Sequence, residues 1–197
     1  MTGPSRAAAG ALVLAPVLFV AGWVTAGLAT PGYSPRRQAI SDLAAVDSST
    51  RWPMFVVFLA YGIVMVVGSQ ALRRSPVRAA WPAAALNGLA LIGVALAPIH
   101  RSSGLDVVHG RAALAAYLSI ALVPVLAAWG LVRTGHGWLG IASVVAGVAS
   151  ISFLAAAYGN SYVGLLQRTG AGIGNAWVLI AGLTLLRPAP APTTETT

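Results

Sequence analysis

Long apolar runs separated by short polar connections dominate the pattern of this chain. A bilayer core about 30 Å thick is crossed by about 20 apolar residues in an α-helix. Six runs of roughly this length occur, and they predict six membrane-spanning helices. The runs cover residues 10–29, 53–72, 79–99, 112–132 and 137–158, and a sixth begins between residues 164 and 170 and ends at 186. The predicted fold is therefore an all-α polytopic membrane bundle.

Composition supports a membrane protein and excludes several other classes. Of the 197 residues, 57% are hydrophobic and 8% are charged, whereas a soluble domain carries roughly 25% charged residues. The chain has no cysteine, which excludes disulfides, thiolate catalysis and cysteine-ligated metal sites. Its net charge of +8 comes from arginines scattered between the apolar runs. That distribution favours membrane lipids as partners and argues against nucleic acid.

The connections predict one domain and one orientation. Residues 1–187 are expected to form the six-span domain, and residues 188–197, rich in proline and threonine, a disordered tail. Six spans leave both termini on one side of the membrane. The arginines divide evenly between the two sides, but those in the short segment 72–78 are the densest, so we expect cytoplasmic termini in the plasma membrane.

Polar residues are concentrated in three connections that six spans bring to one face, which we predict to be extracytoplasmic. The first connection contains Ser34 and Pro35, a pair typical of an N-cap and a first helical position. Apolar residues at helical spacing then predict a short interfacial helix after the first span. The alternative is a surface linker whose arginines contact lipid phosphates and whose Asp42 pairs with one of them.

The second connection carries ionisable residues at the start of the fourth span. Asp106 and His109 lie three positions apart and share a face if that turn is helical. A carboxylate beside an imidazole raises its basicity, as in general-base and metal sites, and His100 precedes the pair. The alternative is that Asp106 caps the fourth helix and that His109 bonds to a backbone carbonyl.

The third connection places Gln167 and Arg168 where the sixth span begins. An arginine near the hydrocarbon boundary either extends to the surface or needs a partner. The carboxylates of that face are Asp42, Asp47 and Asp106, so one of them is the expected partner of Arg168.

Two asparagines are the notable polar residues within the spans. Asn87 and Asn175 are predicted to bridge helices by hydrogen bonds rather than to bind a ligand. The sequence motifs of zinc peptidases, α/β-hydrolases and nucleotide-binding loops are absent.

Several short motifs together carry a family resemblance. They are Tyr33-Ser34-Pro35, Ile40-Ser41-Asp42-Leu43, Asp106 with His109, and Gln167-Arg168 followed by Trp177. In these positions the chain resembles the domain-of-unknown-function 998 family, six-span membrane proteins of bacteria and archaea, over nearly its whole length. The segment 40–43 is also distantly similar to the Frag1/DRAM/Sfk1 membrane proteins. The resemblance implies a six-span topology and no particular activity.

These residues are compatible with three functions and do not decide whether the protein is an enzyme. In the first, they form a pocket that binds a lipid headgroup or a similar amphipathic ligand, or they fix the helices. The residues of this predicted site are Tyr33, Ser41, Asp42, Asp106, His109, Gln167 and Arg168. Arg168 would hold an anionic group, which Asp42 and Gln167 would orient.

The second function is a membrane-embedded hydrolase. Its candidate catalytic residues are Asp106, His109 and Asp42, and its candidate metal ligands are His100, Asp106 and His109. Two histidines and two aspartates suffice chemically for zinc, although no ligand spacing is diagnostic. The third function is a small transporter, which the short connections allow but which no charge in the middle of a span supports.

Overall fold

Helices form nearly all of the described chain. A computed structural model of the protein describes residues 5–187, and the predicted tail 188–197 lies outside them. The helices are α1 (Arg6–Ala29), α2 (Arg51–Arg73), α3 (Trp81–Leu96), α4 (Ser103–Arg133), α5 (Gly137–Ala156) and α6 (Val163–Leu186). Short 3-10 helices, Ile40–Ala44 and Arg78–Ala80, precede α2 and α3. Residues 5–187 contain no β-strand, which confirms the all-α prediction.

Helix α4 differs most from its predicted bounds. It begins at Ser103 rather than at residue 112 and is 31 residues long. The apolar-run criterion misses its first turns because they are polar. They are helical because the side chain of Ser102 caps the helix, accepting the backbone N–H of Leu105 at 3.3 Å.

The six helices form a closed ring in which sequence neighbours are also spatial neighbours. Each helix packs against the next one, α6 returns to α1, and α4 also contacts α6. Small residues permit this close packing, as expected between helices in a membrane. A Cβ on Gly62 of α2 would lie 2.6 Å from the carbonyl oxygen of Gly88 in α3, so these two backbones touch.

A polar cluster ties four of the helices together in the middle of the ring. The hydroxyl of Tyr61 lies 2.7 Å from Oδ1 of Asn87 and 3.1 Å from Oδ1 of Asn175. Asn87 also donates to the carbonyl of Ala116 in α4 at 2.8 Å. These contacts confirm that both asparagines bridge helices, an interaction worth about 0.6–2 kcal/mol in a membrane.

The outer surface of the ring is apolar. Six helical stretches are long and apolar enough to cross a membrane, the third being α3 together with the 3-10 helix that precedes it. Large hydrophobic side chains are exposed around the circumference, for example Val56, Leu122, Ile141 and Ile180. A soluble protein seldom leaves such continuous apolar area uncovered, so the chain is a multi-pass membrane protein.

Candidate functional site

Residues 33–46, here called the plug segment, close one end of the ring. The 3-10 helix Ile40–Ala44 contacts α1, α2 and α6, and Ile40 and Leu43 are only 4% and 0% exposed. A short helix does follow the first span, but Ser34 and the residues after it form a turn instead of the predicted helix start. The position of the segment at a membrane interface stays a prediction.

Arg168 of α6 holds the plug segment in place. Its Nη1 lies 2.9 Å from each of the carbonyl oxygens of Pro35, Gln38 and Gly164, which share its two N–H groups, and its Nη2 donates to the hydroxyl of Tyr33. Backbone carbonyls, not a carboxylate, are therefore the partners of this arginine, which corrects the expected ion pair. Since its outer nitrogens are occupied, Arg168 has a structural role in this arrangement.

Gln167 fixes the same segment one residue earlier on α6. Its Oε1 accepts the backbone N–H of Ile40 at 2.7 Å, and its Nε2 donates to the hydroxyl of Tyr117 in α4. The hydroxyl of Tyr33 donates to the carbonyl of Ala39 at 2.8 Å. The start of the 3-10 helix is thus bonded directly to α6 and, through Gln167, linked to α4. Burial raises the pKa of the Tyr33 hydroxyl.

Asp42 supports the plug segment from within. Its Oδ2 accepts the backbone N–H of Ala39 at 2.9 Å, which caps the 3-10 helix. Burial raises the pKa of this carboxyl group above its ordinary value, although the hydrogen bond from Ala39 acts in the opposite direction.

A cavity of about 50 Å³ lies beneath the plug segment, inside the ring. Its polar lining includes Ser41, His109, Tyr117 and Gln167, and its apolar lining comes from α1 to α4 and α6. Three predicted site residues from distant connections, Ser41, His109 and Gln167, therefore meet at one cavity. A few water molecules fit in this volume, because one water needs roughly 10–15 Å³.

His109 is the one histidine in this lining, and it is almost wholly buried, 6% exposed. Its Nδ1 lies 2.7 Å from the carbonyl of Ala97, so Nδ1 carries the proton and donates. Its Nε2 is buried and has no hydrogen-bond partner within residues 5–187. A backbone carbonyl thus orients the ring, as the alternative interpretation held, and Asp106 does not.

A second, larger space reaches the other side of His109. This rim crevice, of about 170 Å³, lies between α2, α3 and the connection to α4. Its lining includes Arg51, Trp52, Phe55, Pro98, Arg101 and His109. The sequence reasoning missed Arg51 and Arg101 because single arginines flank nearly every span, and only the fold brings these two to one opening.

The remaining candidates lie on the outer surface, away from the cavity. Asp106 is exposed and accepts the backbone N–H of His100 at 2.8 Å, while Nδ1 of His100 lies 3.1 Å from Oδ1 of Asp47. The hydrogen bond that the His100 ring donates to Asp47 raises the pKa of His100 and lowers the pKa of Asp47. Within residues 5–187 no three His, Asp or Glu side chains are grouped closely enough to hold a metal ion. Zinc binding stays a prediction without a matching ligand group.

Comparison with known proteins identifies one family and no individual relative. A family model described as a protein of unknown function (DUF998) matches residues 13–184. No curated protein and no solved structure matches the chain. The more distant similarity to the Frag1/DRAM/Sfk1 proteins stays a prediction.

Proposed function

The chain belongs to the DUF998 family of proteins of unknown function, and we propose that it binds the phosphate-bearing headgroup of a membrane lipid in the rim crevice. In this proposal Arg51 and Arg101 receive the phosphate. His109, at the inner end of the crevice, accepts a hydrogen bond from a hydroxyl or ammonium group of the same headgroup.

The unpaired Nε2 of His109 carries this proposal. A buried acceptor costs about 1–3 kcal/mol unless a water or a ligand donates a hydrogen bond to it, so Nε2 is a position where a donor is favoured. The bond from Nδ1 to Ala97 fixes the tautomer, and therefore Nε2 presents a lone pair. A ligand that donates a hydrogen bond there recovers the lost interaction.

The rim crevice has the composition of a headgroup site. Apolar side chains such as Phe55, Val94 and Leu96 form its walls, and two arginines provide charge. Arg51 lies over the ring of Trp52 at 4.8 Å, an arrangement suited to the headgroup region, where tryptophan is enriched. The central cavity is too small for a headgroup, so it serves as a water-sized space behind His109.

The test compares lipids whose headgroups do or do not contain a hydrogen-bond donor, which separates the role of His109 from that of the two arginines. Thermal unfolding of the purified protein in detergent is measured with dioctanoyl phosphatidylglycerol, phosphatidylethanolamine or phosphatidylcholine. The first two headgroups contain a hydrogen-bond donor and the third contains none. We expect the first two to bind roughly tenfold more tightly, since one buried hydrogen bond of about 1.4 kcal/mol corresponds to that factor.

Two variants assign this preference to residues. His109→Asn retains an N–H donor for Ala97 but removes the acceptor at Nε2, so it should abolish the preference and leave phosphatidylcholine binding unchanged. Arg51→Gln with Arg101→Gln should weaken all three lipids. Arg36→Gln with Arg37→Gln, two exposed arginines of the plug segment, is the matched control. Equal affinity for all three lipids in the wild type, or equal losses in the control, would overturn the proposal.

A hydrolase remains the second candidate, because the same Nε2 is free to accept a proton from a cavity water. Phosphorus NMR of protein incubated with phosphatidylglycerol distinguishes the two functions. Release of glycerol phosphate that is lost in His109→Asn would favour hydrolysis, whereas an unchanged lipid spectrum favours binding alone. No contact within residues 5–187 favours the transporter.

A further inference from the structure

The opposite end of the ring carries a second concentration of positive charge. Exposed arginines from α2, the following connection and α4 line a cleft of about 540 Å³. These residues, here called the arginine cleft, are Arg73, Arg74, Arg78 and Arg133. Two of them lie over tryptophan rings, Arg73 on Trp81 at 5.4 Å and Arg133 on Trp129 at 4.5 Å.

No carboxylate neutralises this charge within residues 5–187. Asp42 and Asp47 lie in the connection after α1 and Asp106 lies in the first turn of α4, so the three aspartates of the chain are at the end that carries the plug segment. The ion pair formed in the described part of the chain, His100 with Asp47, is at that same end. Four guanidinium groups around one opening repel each other, so the cleft favours an anionic occupant.

An apolar groove of about 360 Å³ adjoins the arginine cleft. Ser75, Pro76 and Thr134 line both spaces, so the two are adjacent. Farther in, the groove is walled by apolar side chains of α4, α5 and α6, including Leu139 and Ile180. Charge at the opening and apolar walls behind it fit a molecule with an anionic head and a hydrocarbon chain.

We propose that this end of the protein binds a phospholipid with two phosphate groups. Each phosphate is received by two of the four arginines, and one acyl chain enters the apolar groove. Guanidinium groups suit this role because their forked donors match phosphate oxygens. The site is separate from the rim crevice and does not depend on the proposed function.

The experiment compares two lipids of the same glycerol phosphate chemistry. Native mass spectrometry of the full chain measures retention of cardiolipin, which has two phosphates, against phosphatidylglycerol, which has one. We expect cardiolipin to bind at least about tenfold more tightly. Arg78→Gln with Arg133→Gln should remove most of that difference, because each phosphate then keeps one arginine. Arg36→Gln with Arg37→Gln, at the other end, should leave it unchanged.

A further variant distinguishes a lipid from a free phosphate. Ala181→Phe fills the apolar groove that Ala181 lines and leaves the arginines intact. It should weaken cardiolipin severalfold without changing any binding of inorganic pyrophosphate. Unfolding temperatures close to the wild-type value establish that the variants fold. Equal retention of the two lipids, equal losses in the control pair, or pyrophosphate that competes as well as cardiolipin would each overturn the proposal.

Discussion

The two ends of the ring use their polar residues in opposite ways. At the plug end, Arg168, Gln167 and Asp42 are bonded to the backbone of the plug segment. At the other end, the four residues of the arginine cleft are exposed, and their neighbours are aromatic rings and solvent. A dense polar motif in a membrane protein therefore marks a segment that must be held in place. Binding capacity remains where donors and acceptors are left over.

At both ends, nevertheless, the backbone of a connection packs directly against a glycine of a helix. A Cβ on Gly164 of α6 would collide with the carbonyls of Gln38 and Pro35 in the plug segment. A Cβ on Gly130 of α4 would collide with the carbonyl of Pro76, which borders the arginine cleft. The difference between the ends thus lies in side chains, and substitutions can address each separately.

The largest expected effect is the loss of the plug anchor in Arg168→Met. Four acceptors, three carbonyls and the hydroxyl of Tyr33, lose their donor within a partly buried region. Since a hydrogen bond to a charged group contributes about 1.5–3 kcal/mol, we expect at least about 3 kcal/mol lower stability. Thermal unfolding in detergent measures this change.

The same variant should also expose the plug segment. A cysteine introduced at Ala39 is a unique label because the chain has no other cysteine. Its reaction with a water-soluble maleimide should accelerate at least about tenfold in Arg168→Met. Arg37→Met, which removes an exposed arginine of the same segment, serves as the control. Comparable destabilisation by both variants would contradict the anchoring role of Arg168.

The two glycines test whether the ends are independent. Gly164→Ala and Gly130→Ala should each destabilise the protein by roughly 1–3 kcal/mol, because the new methyl group displaces a backbone carbonyl. Gly110→Ala in α4 meets nothing within 4 Å and should be neutral or slightly stabilising.

Lipid binding then separates the two glycine variants. Gly164→Ala should alter the headgroup preference at the rim crevice, and Gly130→Ala should reduce cardiolipin retention. If each variant altered both measurements equally, the ends would be coupled and the comparison between them would fail.

The fold was predictable because membrane spans leave a long, simple signal. The run of 20 apolar residues located all six helices. Its bounds differ most at α4, whose first turns are polar and depend on the cap at Ser102, and by a few residues elsewhere, as at the start of α6. The bridging role of Asn87 and Asn175 was also predictable, since an amide within a bilayer needs a partner.

The site was less predictable because it depends on backbone groups that a sequence does not display. The carbonyl of Ala97 orients the ring of His109, and the carbonyls of Pro35 and Gln38 accept hydrogen bonds from Arg168. Pairing oppositely charged residues from the sequence therefore predicted carboxylate partners, whereas the partners in the fold are backbone carbonyls. Arg51 and Arg101 could be recognised only once α2 and the connection before α4 were side by side.

A smaller effect is expected at Asp42, where charge and hydrogen bonding can be separated. Asp42→Ala removes the acceptor for Ala39 and should cost about 0.5–2 kcal/mol, as other cap losses do. Asp42→Asn keeps an acceptor and removes the buried charge, so its stability at pH 7 should equal or exceed that of the wild type.

The difference in stability between Asp42→Asn and the wild type should depend on pH, because the pKa of Asp42 is raised. Because the folded pKa lies above the ordinary 3.8, the folded state binds the proton more tightly, and wild-type stability falls as pH rises from about that value through the folded pKa. The stability of Asp42→Asn relative to the wild type should therefore increase over that interval. Unfolding measured from pH 4 to pH 7 gives the comparison, and a constant difference would contradict the burial of a charged group.

The smallest expected effect concerns the exposed pair of His100 and Asp47, which joins the connection between α1 and α2 to the connection between α3 and α4. The pKa of His100 is raised and that of Asp47 is lowered, each chiefly by their mutual hydrogen bond. The pair is therefore fully formed between about pH 4 and pH 6.5. It weakens as pH rises through the folded pKa of His100 or falls through that of Asp47.

An NMR titration of the His100 ring should show a lower pKa in Asp47→Asn, and a smaller decrease in Asp106→Asn, whose carboxylate contacts only the backbone of His100. Equal decreases in the two variants would mean that the general negative charge of this surface, not the specific bond, holds the two connections together.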